Sequence, residues 1–230
     1  MSRILRDDLV LICPNLQHLI FEYKQKSDSV LRFGSYNALT SFFDKFGDKV
    51  KRLRIDAYSH PRDESGTEIT QNIIKKYAKN LEELQITCFY NEGFWEELSD
   101  RKNDIIFSEV KKLEFWSRGS RSVLKLNLMF PKLESLKLLG EIANVNCLEH
   151  VKGLEELFLQ TDSIQEQQLD GIFSNNKNMS KIHLSSPKRT ETMQLISKYL
   201  TKLKTLAVYC PGKNFMLRAN NGPVYTLPSV

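Results

Sequence analysis

The sequence predicts an α/β fold built as a solenoid, a curved stack with parallel β-strands on one face and helices on the other. Three observations carry this. A triplet of apolar residues, spaced three and then two apart, recurs eight times along the 230 residues. The last two positions of each triplet have the strand period, so both side chains point to one side of a short strand. Between triplets the apolar period becomes helical, so each unit reads as a helix feeding a strand.

The copies run in order Leu16/Leu19/Phe21, Val50/Leu53/Ile55, Leu81/Leu84/Ile86, Val110/Leu113/Phe115, Leu133/Leu136/Leu138, Leu154/Leu157/Leu159, Met179/Ile182/Leu184 and Leu203/Leu206/Val208. Leu39, Phe42, Phe43, Phe46 and Val50 fall at helical spacing before the second copy. Ile69, Ile73, Tyr77 and Leu81 do so before the third, and Met193, Ile196, Leu200 and Leu203 before the eighth. Ser65 with Glu68 and Ser163 with Glu166 have the spacing of a capping box and predict helix starts there. First positions of successive copies lie 34, 31, 29, 23, 21, 25 and 24 residues apart. The later spacings match the roughly 20–29 residues of a leucine-rich repeat, and the earlier ones require longer helices or loops. The reading is therefore a leucine-rich-repeat domain of about eight irregular repeats over residues 1–210. Its parallel strands line a concave face and its helices a convex one, in a curved horseshoe. Each fully buried Leu, Ile or Phe contributes about 1.5–3 kcal/mol, and only stacking on a neighbour makes that burial possible. From Pro211 the pattern lapses among Gly212, Gly222, Pro223 and Pro228, which predicts an irregular C-terminal cap or tail over 211–230.

Composition narrows the class. With 41% hydrophobic and 27% charged residues the chain is too apolar for a disordered segment and too charged for a membrane protein. Acids at Asp7 and Asp8 stand where a signal peptide would carry its apolar stretch. Cys13, Cys88, Cys147 and Cys210 lie far apart, unlike a disulfide scaffold or zinc ribbon, and together these features predict a cytoplasmic or nuclear protein. A net charge of +5 with acids and bases interspersed argues only weakly for nucleic acid.

The segments Cys13-Pro14-Asn15-Leu16-Gln17-His18-Leu19-Ile20-Phe21, Phe130-Pro131-Lys132-Leu133-Glu134-Ser135-Leu136-Lys137-Leu138 and Leu200-Thr201-Lys202-Leu203-Lys204-Thr205-Leu206 resemble the leucine-rich repeat region of F-box/LRR proteins. The resemblance covers roughly residues 4–210. It implies substrate recognition for a cullin-type ubiquitin ligase, whose Skp-type adaptor is held by an F-box. The first repeat starts almost at Met1 and no F-box motif follows it. Two expectations stand open: a fragment or truncated relative, with Skp-type adaptor and cullin as partners of the full-length protein, or a general scaffold that binds without recruiting a ligase.

Residues alternating with the buried ones face the uncovered side of the strands. Arg52, Arg54, Tyr58, Phe89, Lys112, Glu114, Trp116, Arg118, Phe158, His183 and Tyr209 are the candidate partner-binding set, because aromatics and Arg concentrate at protein–protein hot spots. The expected ligand is another protein. An RNA-binding alternative rests on Lys49, Lys51, Arg52 and Arg54 beside Tyr58, but Asp48 and Asp56 interrupt that cluster. The sequence lacks dinucleotide-binding, P-loop, nucleophile-elbow and HExxH motifs, so no enzyme activity, cofactor or metal is expected. Cys147 and His150 have a ligand-like spacing but form half a zinc site at most, in a stretch predicted helical.

Overall fold

The computed structural model describes residues 18–23, 40, 43–44, 47–57, 64–88, 105–120, 126–142, 146–160, 164–185, 189–210 and 213–218. Nine strands form one sheet: β1 (His18–Tyr23), β2 (Arg52–Ala57), β3 (Glu83–Cys88), β4 (Lys112–Ser120), β5 (Ser135–Ile142), β6 (Glu156–Gln160), β7 (Lys181–Ser185), β8 (Thr205–Cys210) and β9 (Lys213–Arg218). Spatial order equals chain order. Seven successive pairings from β1 to β8 are parallel and the last is antiparallel.

The register superposes the apolar triplets. Leu19, Leu53, Leu84, Leu113, Leu136, Leu157, Ile182 and Leu206 stand side by side across the sheet, as do Phe21, Ile55, Ile86, Phe115, Leu138, Leu159, Leu184 and Val208. Between strands run α1 (Glu64–Tyr77), α2 (Leu126–Met129), α3 (Glu166–Asn175) and α4 (Arg189–Tyr199), with 3-10 turns at Gly47–Lys49, Ala78–Asn80 and Asn146–His150. When every parallel neighbour follows its predecessor directly, right-handed crossovers put all the connections on the same face. From β2 to β8 the stacked Leu53, Leu84, Leu113, Leu136, Leu157, Ile182 and Leu206 share one buried cluster with Ile73, Ile74 and Tyr77 of α1, Leu169, Ile172 and Phe173 of α3, and Leu195 and Ile196 of α4.

Six of the repeats open on a tight turn among the described residues. The amide of the first triplet residue donates to the carbonyl three residues back in Val50→Gly47, Leu81→Ala78, Val110→Phe107, Leu133→Phe130, Met179→Asn176 and Leu203→Leu200. Next to it one carbonyl accepts two consecutive amides of the following repeat: Lys51 from Glu82 and Glu83, Glu82 from Lys111 and Lys112, Lys111 from Glu134 and Ser135. The same joint recurs from Glu134 to Glu155 and Glu156, from Glu155 to Ser180 and Lys181, and from Ser180 to Lys204 and Thr205. It fixes the register before the strand begins.

Three expectations are corrected. Helix α1 begins at Glu64, so Ser65 lies in its first turn and not at its cap. In α3 the capping pair sits two residues further on, where the Gln165 amide donates to Gln168 Oε1 at 2.8 Å. Glu166 is the first helical residue, too early to reach back to the cap amide. The tail is not wholly irregular: Lys213–Arg218 pairs antiparallel with β8, Cys210 opposite Lys213 and Thr205 opposite Arg218. Pro211 and Gly212, read as breakers of the pattern, lie outside the described residues. Among the described residues no helix is long and apolar enough to cross a membrane.

Candidate partner-binding face

The face of the sheet opposite the connections carries rows of side chains, one from each strand at matching registers. The first row reads Arg52, Glu83, Lys112, Ser135, Glu156 and Lys181; the next reads Arg54, Gln85, Glu114, Lys137, Phe158 and His183. All of them are half-buried or exposed, while the residues between them on each strand are buried.

Sign alternates along the rows, and neighbours pair laterally. Glu83 lies 3.3 Å from Arg52 and 3.2 Å from Lys112, so one carboxylate serves two cations. Lys137 donates to Glu114 at 2.8 Å, and Lys181 pairs with Glu156, to which the Ser135 hydroxyl also donates at 3.4 Å. The hydrogen bond from Lys181 is the main reason the Glu156 carboxyl is held below its ordinary pKa. At the rim, Lys51 faces Glu82 at 3.5 Å and Lys111 faces Glu134 at 3.0 Å. The Glu134 carboxylate raises the pKa of Lys111. Exposed pairs of this kind are individually weak. Their consequence is electrostatic: the basic cluster seen in the sequence has acids of the next repeat beside it.

Ring and apolar side chains also stand on this face. Trp116 and Leu139 are register neighbours on β4 and β5, and Phe158 and His183 on β6 and β7. The rings of Phe158 and His183 stack at 5.1 Å with 21° between planes, and the Lys137 ammonium stands 5.5 Å from the centre of the Phe158 ring. His183 Nδ1 and Ser185 Oγ are shut off from solvent without a hydrogen-bond partner. Burial, with Lys181 and Lys137 nearby, holds the His183 pKa below its ordinary value, and Glu156 opposes this. At the β2–β5 end the face dips into a depression of about 330 Å³ lined by Arg52, Arg54, Glu83, Gln85, Lys112, Glu114, Ser135 and Lys137 over a floor of Leu53, Leu84 and Leu113.

Of the candidates read from the sequence, the structure brings together Arg52 and Lys112 around Glu83, and Phe158 with His183. Arg54, Glu114 and Trp116 share the same face. Arg118 and Tyr209 lie on β4 and β8, but their side chains are outside the described part. Tyr58 and Phe89 lie outside the described residues. Glu83, Lys137, Leu139, Glu156 and Lys181 share this face, as strand alternation in the sequence places them, but stood outside the candidate binding set; for the four charged ones the added signal was the alternation of sign at one motif position through successive copies. His150 is exposed in the turn after Cys147, and among the described residues no three His, Cys, Asp or Glu side chains converge as metal ligands would.

The chain matches no protein-family model and no curated protein.

Proposed function

We propose that the chain is a leucine-rich-repeat solenoid whose open sheet face forms the concave wall of a horseshoe and grips another protein. The observation that supports this most is the apolar strip running diagonally over that face, Trp116 and Leu139 leading to Phe158 and His183, set among laterally paired charges. Aromatics surrounded by neutralised polar groups have the composition of a hot spot with its rim. The alternation that leaves them half-exposed runs through every repeat from β2 to β7.

By the resemblance of its repeats the protein is the substrate-recognition part of an F-box-type ubiquitin ligase, acting in the cytoplasm or nucleus as a binder and not as an enzyme. Affinity capture from cell extract with the full chain, followed by mass spectrometry, tests both levels. Recovery of a Skp-type adaptor and cullin supports ligase recruitment, and their absence beside a reproducible partner leaves a plain scaffold. Trp116→Ala with Phe158→Ala is expected to lose that partner while the thermal midpoint stays nearly unchanged. Full capture by the folded double variant overturns the face as the binding surface.

A further inference from the structure

The turns that lead into β6, β7 and β8 differ from the earlier ones in how their charges are met. In the earlier turns a lysine finds a carboxylate on a neighbouring repeat: Lys51 with Glu82, Lys111 with Glu134 and Lys132 with Glu109. In the later turns neutral residues stand between. Ser180 separates Glu155 from Lys204, bonding by its backbone to both. Lys202 donates to the neutral Asn178 Oδ1 at 2.8 Å, which leaves its charge uncancelled. Lys152 and Lys177 follow Val151 and Asn176, which are joined by the 2.8 Å bond from Asn176 Nδ2 to the Val151 carbonyl, so these two lysines stand on adjoining turns. All four lysines are exposed, and among the described residues Lys152, Lys177 and Lys204 make no ion pair. The carboxylates in these turns are Glu155 and Glu149, the latter packed against Gly171 of α3. Four ammonium groups thus meet two carboxylates.

Resting on the reading that the open face binds protein, we propose that these lysines take an acidic run of the same partner, next to the apolar group it seats on Phe158 and His183. The turns lead straight into β6 and β7, the strands that carry that stack. Lys152 lies six residues before Phe158 and Lys177 six before His183, so roughly six extended residues of the partner join the two sites. From the repeat of Lys152 to that of Lys204 is two strand spacings, about 10 Å, which three extended residues cover. Lysine offers a point charge on a flexible stem where arginine offers a planar fork, and this suits carboxylates in succession better than one anion held in fixed geometry. A peptide is favoured over single-stranded nucleic acid because residues 149–155, 176–180 and 200–204 include no Phe, Tyr or Trp to stack a base. Tyr199, just before the last of these turns, has its hydroxyl held by Asp170 at 3.0 Å and its ring under the Lys198 ammonium. A membrane is disfavoured because the exposed large apolar side chains, Ile106 and Leu128, lie in earlier repeats.

The test uses the full chain and a fluorescent octaglutamate peptide, with a uridine octanucleotide and phosphatidylserine vesicles as comparison probes. Octaglutamate is expected to bind, to weaken as salt screens the charges, and to lose on the order of tenfold in affinity in Lys152→Glu with Lys177→Glu, and separately in Lys202→Glu with Lys204→Glu. Lys75→Glu with Lys79→Glu makes the same change in net charge at exposed sites outside these turns, and is expected to keep binding. Circular dichroism and the thermal midpoint confirm that each variant folds. No binding of octaglutamate, equal loss in the Lys75/Lys79 control, or tighter binding of the uridine probe or the vesicles through the same lysines each overturns the proposal. A captured partner that is lost with Trp116→Ala/Phe158→Ala but kept by both lysine variants overturns the acidic run while upholding the binding face.

Discussion

Asn176 completes the turn of the repeat before its own. Leu154 departs from the turn that opens six of the repeats: Gly153 before it has φ +87°, and its amide does not return to the carbonyl three residues back. That amide instead donates to Asn176 Oδ1 at 2.9 Å, and Asn176 Nδ2 donates to the Val151 carbonyl at 2.8 Å and to Ile172 at 2.9 Å. The side chain of one repeat thus stands in for the missing turn hydrogen bond of the one before, at 2% exposure. Replacing it with Ala takes the side-chain partner from three backbone groups, so Asn176→Ala is expected to cost about 2–4 kcal/mol in urea unfolding. Exposed Asn175→Ala, which loses one bond to the Glu149 carbonyl, is expected to cost well under half of that. His183 supplies a second test. Its folded pKa lies below that of the unfolded chain, near 6.5, so the unfolded state takes up the proton first. The stability due to the neutral ring is present above that value and is lost as the pH falls through the folded pKa. Wild type is expected to lose more stability between about pH 7.5 and pH 5.5 than His183→Gln does. Equal pH slopes would show that the ring titrates as it does in the unfolded chain.

At the scale of the element, strand register decides whether a residue holds the fold or lies on the open face. Leu136 and Lys137 are adjacent on β5, one 1% exposed in the core and the other paired with Glu114 on the open face. Leu136→Ala is expected to cost about 2–5 kcal/mol through the cavity it leaves, and Lys137→Ala far less, as measured by denaturant unfolding. Comparable losses would place the strand one residue out of register. Between elements the same positions are tied repeatedly: Lys132 to Glu109 at 2.8 Å, Asn80 to Asp48 at 3.0 Å and Lys202 to Asn178 at 2.8 Å each join a residue to the equivalent turn of the preceding repeat. In the turn that holds Asp48, Gly47 has no room for a side chain, since a Cβ there would fall 2.3 Å from the ring of Tyr77.

For the whole molecule, a sheet whose spatial order equals its chain order makes stability a matter of neighbours. A defect between β6 and β7 weakens the repeats beside it and leaves distant ones paired. In Asn176→Ala, hydrogen exchange is therefore expected to quicken from β6 to β8 while β2 to β4 keep their protection. The same order lays the rows of the open face across the strands, so each row spans many repeats.

The sequence by itself determined the strands and their register. The triplets stack side by side from Leu19 to Leu206, because the period of two that buries a side chain is local and needs no partner to be read. It also determined which face is open, since the residues between the buried ones follow by alternation. Only the tertiary structure decided which of those residues act together. Glu83 acquires two cations, Phe158 stacks on His183, and Asn176 completes a turn 22 residues away, all across gaps whose lengths differ from repeat to repeat. The pairing that adds β9 is likewise tertiary: the sequence after Cys210 carries no apolar triplet to announce a strand, and the antiparallel register with β8 decides it. Lateral contacts depend on which strands become neighbours, and that depends on every connection folding back to the same side.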